Sequence, residues 1–219
     1  MSESDLFQGH AYLFFKPHEV RFVDAAVARI IPADDLGPGA KEAGVTRFID
    51  RQLASPWGTS SRQYRLGPWQ PGSPRQGNQS PLIPQEIYRY GIQDMDRYCL
   101  KEKGKSFEFL SADVQEALLK AMESGQIELN TISCKKFFSL LHKNTIEGFF
   151  SDPMHGGNHN KIGWRLIGFP GVAGSAYPDW LGRYNEPYRV EPVSILDIEQ
   201  GKVSLDAEGN PKHIFINPQ

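Results

Sequence analysis

Residues 55–84, SPWGTSSRQYRLGPWQPGSPRQGNQSPLIP, contain six prolines and four glycines in thirty positions. Proline lacks a backbone N–H and fixes φ, and glycine favours turns, so neither a helix nor a central strand runs through this stretch. An irregular loop of this length is uncommon in a compact domain and is usually functional or disordered. Its rings, Trp57, Tyr64 and Trp69, argue against plain disorder, because large rings need packing partners. Positions 51–85 also carry four arginines and no acid. Whatever the chain folds into must be built on either side of this loop.

Helical spacing dominates both sides. Pro17 suits a first helical position, and Val20, Val23, Val27 and Ile30 form one apolar face, predicting a helix from Pro17 to Ile31 that Pro32 stops. The run ADDLGPGA reads as a turn, with Ala33 to Asp35 solvated and placed to cap the next helix. That second helix is expected over Ala40–Ala54, with Ala43, Phe48, Ile49 and Leu53 inward. From Pro84, Ile87, Gly91, Met95 and Tyr98 share a face. Ser111 reads as the N-cap of a fourth helix, with Asp113 in its first turn and Gly125 at its end. Ser133 reads as the cap of a fifth helix, with Phe138, Leu141, Thr145 and Phe149 on one side. The expected fold is therefore mainly α, about five helices with long Gly/Pro/aromatic-rich loops. KVSL and HIFI flanking AEGNP add a small C-terminal β-ribbon. The expected organisation is an N-terminal arm (1–16), a helical domain (17–183) and a tail (184–219) suited to wrapping a partner.

The 219 residues carry 24 Lys+Arg against 26 Asp+Glu, without the basic excess of a nucleic-acid binder. The only cysteines, Cys99 and Cys134, exclude a disulfide framework and a four-cysteine metal or iron–sulfur site. They read as two core thiols, one disulfide being the alternative. No C-x-x-C-H attaches haem, and no apolar run approaches the ~20 residues of a membrane span. The opening MSESDLFQGHAYLFFKPHEV has neither the charged nor the apolar region of an export signal.

Catalytic signals are sparse. Asp152, His155, His159 and Glu147 could ligate zinc or iron, but Gly156 and Gly157 separate the histidines and break the helical spacing such sites use. The competing reading is a glycine turn whose histidines bond backbone carbonyls. Cys134 and His142 are eight residues apart on one helix, beyond hydrogen-bond reach. There is no G-x-S-x-G elbow, and GPGAKEAG and GFPGVAG fit neither a dinucleotide fingerprint nor a P-loop. By contrast, all four tryptophans (Trp57, Trp69, Trp164, Trp180) fall in irregular segments, while Val, Ile, Leu and Phe fill the helix faces. Arg, Trp and Tyr dominate interface hot spots, so such loops either wrap the helices or grip a partner.

Three runs together, RIIPADDLGPGAKEAGVTRFIDRQL, YRLGPWQPGSPRQGNQSPLIPQEIYRYGI and NTIEGFFSDPMHGGNHNKIGWRLIGFPG, closely resemble the gluconate 2-dehydrogenase subunit 3 family. The resemblance spans Phe14 to Pro170; residues 184–219 carry no family motif. It implies a small accessory subunit that is not catalytic alone. Its large partner would be a flavoprotein of the glucose–methanol–choline type, holding FAD and oxidising a sugar or sugar acid, with a cytochrome c subunit taking the electrons. The small subunit would stabilise the large one and carry it through twin-arginine export, so the periplasm is implied; the cytoplasm is the alternative, because the usual signal is missing from this chain. No cofactor is expected in the chain itself. The two irregular loops are the expected contact, through Trp57, Arg65, Trp69, Phe149, Asn158, Trp164, Phe169 and Pro170. The rival expectations are a metal-dependent enzyme using His155 and His159, or a free-standing helical binding protein.

Overall fold

A computed structural model describes residues 11–70, 72–73, 75–76, 79–172 and 182–216. The first ten residues of the arm and Trp180 lie outside the described residues. Five helices precede residue 151: α1 (Pro17–Ile30), α2 (Val45–Ala54), α3 (Pro84–Lys103), α4 (Ala112–Ser124) and α5 (Cys134–Phe150). Among the described residues two short helices come after it, α6 (Ile162–Ile167) and α7 (Ile195–Glu199). Short 3-10 turns lie at Phe107–Phe109, Pro153–His155 and His159–Lys161. The mainly α class thus holds, with two helices more among the described residues than the spacing predicts. Each is too short to show an amphipathic repeat.

The helix starts obey local chemistry. α1 and α3 both open on X-Pro-x-Glu, and the glutamate turns back onto the backbone N–H before the proline: Lys16 N donates to Glu19 Oε2 at 2.7 Å, and Ile83 N to Glu86 Oε2 at 2.9 Å. Ser111 and Ser133 do occupy the N-cap positions of α4 and α5, but their side chains make no capping bond. α2 begins five residues later than expected, because Gly44 takes a left-handed conformation (φ +73°) and residues 40–44 form a turn. Asp34 does not cap that helix either; its Oδ1 accepts from Leu36 N at 2.9 Å, closing its own turn.

α5 is the hub and packs on α1, α2, α3, α4 and α6. Its buried face runs through Phe137, Phe138, Leu141, Thr145 and Phe149. Two glycines set how closely its neighbours approach. A Cβ on Gly91 of α3 would lie 2.3 Å from the Phe137 ring, and one on Gly148 of α5 would lie 2.7 Å from Phe48 of α2. Cys99 and Cys134 are both buried and free. Burial first, then the Asp96 and Glu108 charges, pushes the Cys99 thiol up to about 12. The arm is tied down at its inner end: the backbone N–H groups of Leu13, Phe14 and Phe15 all donate to the buried Asp50 carboxylate, at 2.7–2.9 Å.

The expected ribbon is not a regular pair of strands. Leu205 and Pro211 form one isolated bridge, while the end of HIFI pairs elsewhere, with Phe215 bridging Val190. Lys212 N still reaches back across the turn, to Ser204 O at 2.8 Å; beyond it the backbone bonds go to residues 189–191, with Glu191 N donating to Ile214 O (2.9 Å) and Ile216 N to Arg189 O (3.0 Å). The tail docks on its own chain. Val172 N donates to Val193 O at 2.8 Å, Val193 N to Pro170 O at 3.0 Å, and Ile195 N to Asp152 Oδ2 at 2.9 Å. Among the described residues no helix is long and apolar enough to cross a membrane.

Candidate partner interface

The site grows from the C-terminal end of α5. After Phe150 the chain must reverse, and it does so through an unusual density of left-handed residues: Gly156, Asn158, Asn160 and Lys161 all have positive φ. For residues other than glycine this conformation is strained, by roughly 1–2 kcal/mol each and less for asparagine. Asn158 offsets the strain. Fully buried, it donates from Nδ2 to Ser151 O (2.8 Å) and accepts at Oδ1 from Gly163 N (2.8 Å), binding the end of α5 to the start of α6. Gly157 and Gly163 permit the approach: a Cβ would meet Gly148 O at 2.3 Å and Phe149 O at 2.1 Å respectively.

Trp164 then folds back over α5. Its indole N–H donates to Phe150 O at 2.7 Å, and its ring meets Phe169 edge-on at 5.2 Å between centroids. Nearby, Lys161 pairs with Asp197 of α7 at 2.8 Å. Burial alone would raise the Asp197 carboxyl; the bonds from Lys161 and Ser194 outweigh it and hold the group below the usual carboxylate range. Ser194 and Asp197 form a reciprocal capping box. Its S-x-x-D signal is present in the sequence, but no apolar repeat accompanies it to mark a helix.

This corner presents an apolar surface. Leu36, from the turn after α1, is 78% exposed; Ile167 is 60% exposed and Phe169 45%. Between the α1 turn and α6 runs an open groove of about 430 Å³, lined by Ile31, Pro32, Leu36, Ile162 and Leu166, with the buried Phe149 also contributing. RIIPADDLGPGA and IGWRLIGFPG, more than a hundred residues apart in the chain, thus build one surface. Leu36, Ile162, Leu166 and Ile167 are not singled out by the sequence, because spacing shows which residues can share a face but not which face is left uncovered.

The loop between α2 and α3 is organised differently. Trp57 is half-buried and packs against the core. The Arg65 guanidinium lies 5.2 Å from the Trp69 ring centroid and donates to the carbonyls of Ser80 and Pro81, closing the base of the loop. Trp69 remains 37% exposed, and Tyr64 and Leu66 are more so. On α5, Lys136 is held below its ordinary range by burial and by the Arg65 charge. Of the eight residues expected at a contact, Phe149, Asn158, Trp164 and Pro170 are buried within this chain, Trp57 and Arg65 half-buried, and Trp69 and Phe169 exposed.

The histidine cluster is not drawn together. His155 and His159 are exposed, Asp152 is occupied by the N–H groups of Met154 and Ile195, and Glu147 accepts from Asn144 Nδ2. Among the described residues no group of three or more His, Cys, Asp or Glu side chains could hold a metal ion.

The fold and the site thus define a small helical protein with a locked corner and an open, mostly apolar groove. The family described as gluconate 2-dehydrogenase subunit 3 matches residues 17–171, and the chain belongs to it. Membership places it in an oxidoreductase complex, with a larger dehydrogenase subunit as its partner. No curated protein and no solved structure compared with the chain matches it.

Proposed function

We propose that this chain is a non-catalytic small subunit that binds and stabilises an FAD-dependent sugar or sugar-acid dehydrogenase of the glucose–methanol–choline type and accompanies it into the periplasm. In this reading the flavin sits in the large subunit and a cytochrome c subunit takes the electrons. The observation that carries it is the uncovered apolar surface around α6, which lies inside the family-matched segment. Leu36 lines the groove on one side of α6, and Ile167 and Phe169 line the neighbouring hollow on the other, with Leu166 bordering both; exposed apolar patches mark interaction sites. Phe169, Ile167 and Leu36 supply the main contact and Trp69 a second one. Asn158 and Trp164 act from inside, by holding α6 in place.

The test is co-expression with the large subunit. The expected result is one yellow complex that reduces dye with a sugar, while the isolated chain is colourless and inactive. Ile167→Asp with Leu36→Asp should weaken the complex by about thirtyfold or more, the loss of ~2 kcal/mol typical of an interface anchor. Turnover by the isolated chain, or undiminished co-purification of the double variant, would overturn the reading.

A further inference from the structure

Away from the groove, two carboxyls are directed into the seam where α1, α3 and the Phe107–Phe109 turn meet. Asp96 of α3 is half-buried, and its Oδ1 is buried with no hydrogen-bond partner. Glu108, in the turn, keeps 9% of its side chain exposed; its Oε2 is likewise buried and unpartnered, while Oε1 lies 3.5 Å from Arg21 Nε of α1. From α1 the seam also faces Glu19, whose charge is taken by Arg89 of α3. From α3 itself it faces the Cys99 thiol, with Lys103 farther along. The turn contributes the backbone amide of Phe107.

Two ionised carboxylates here would leave two buried acceptor oxygens without a donor, a costly arrangement. One proton changes that, because a protonated carboxyl gains an O–H donor beside the remaining acceptor. We propose that Asp96 keeps a proton in this seam, beside the Glu108 carboxylate, and that its loss acts as a pH-dependent latch loosening the Phe107–Phe109 turn from α1 and α3. The turn has much to release. Phe107 is fully buried with its ring 4.7 Å from that of Phe22, and its carbonyl accepts from Gln115 Nε2 at 3.0 Å. Burial first and the Glu108 charge second push the Asp96 carboxyl up to about 6, against the Phe107 amide and Arg21. The direction is set by the unfolded state: an aspartate there titrates near 3.9, so the stabilisation is full below that value and is lost as pH rises through about 6.

Melting of the wild-type chain, Asp96→Asn and Glu108→Gln from pH 4.5 to 8 tests this. Asparagine keeps the neutral shape, so the Asp96→Asn melting temperature should gain on wild type by about 3 °C or more between pH 5 and 7.5. A gap constant with pH for both variants would overturn the latch. Should the variants fail to fold, carboxyl-carbon NMR of the wild-type chain decides: Asp96 titrating near 6 supports the proposal, and Asp96 titrating in the ordinary carboxylate range refutes it.

Discussion

From the end of α5 to Pro170 the chain uses glycine, proline and tryptophan much as it does between α2 and α3, and neither segment shows a period in its sequence, although Trp164 proves to lie on the short α6 rather than in a loop. Their physical states differ. In the first, Asn158 and Trp164 place side-chain donors on the carbonyls of Ser151 and Phe150, at the C-terminal end of α5 where helical carbonyls have no partners of their own. In the second, Ser55 Oγ and Gln85 Nε2 serve the last carbonyls of α2, but Trp69 has no such role: Arg65 lies against its ring and donates to the carbonyls at the loop's base, and the Trp69 and Tyr64 rings stay accessible. A tryptophan is thus drawn into the core where its own N–H completes a helix end, as at Trp164, and left presented where it only meets an arginine of its loop, as at Trp69.

The strongest way to break this contrast is Asn158→Ala. It leaves the Ser151 carbonyl and the Gly163 N–H unpaired in the interior, at about 1–3 kcal/mol each. Melting followed by circular dichroism should fall by roughly 5–15 °C. A loss near zero would mean that the corner is held by something other than these bonds. Trp164→Phe keeps one aromatic ring but removes the pyrrole ring with its N–H; about 2 kcal/mol or more of stability should go, from the lost bond and the space left behind, read by urea denaturation.

A smaller effect belongs to the Lys161–Asp197 pair. Because the Asp197 carboxyl is held below its usual range, its contribution is present above the unfolded value near 3.9 and disappears as pH falls through the folded one. Hydrogen exchange of residues 194–200 should therefore quicken below about pH 4, and Lys161→Met should weaken that dependence, leaving the part owed to Ser194. Smallest of all, Trp69→Ala should change stability by no more than about 0.5 kcal/mol, as surface substitutions do. It should still weaken binding to the large subunit. A large fall in melting would place Trp69 in the core and erase the distinction between the two loops.

Much of the fold is legible in the residues alone. Val20, Val23 and Val27 recur at helical spacing because a helix buries one face, and the Pro-x-Glu starts of α1 and α3 announce themselves locally. The glycines at 157 and 163 are legible as places of close approach, though not what they approach. Apolar periodicity puts the start of α2 five residues early, because it extends through Ala40 and Ala43. The left-handed Gly44 interrupts the backbone there, and φ leaves no trace in a hydrophobic pattern. The family, too, is readable from ordered runs of residues.

What the sequence alone determined here is set by neighbours in the chain: five helices, their inward faces, the loop that no helix or strand could cross, and the kinship with a dehydrogenase subunit. Only the tertiary structure decided that Trp164 closes over Phe150 while Trp69 stays outside. It likewise brought Leu36 beside α6 and returned the tail onto residues 150–172 rather than leaving it free. The reason is physical. Helix formation depends on contacts three and four residues apart. Whether a ring is buried depends on which distant backbone carbonyl still lacks a donor, and that is fixed only when the elements have packed.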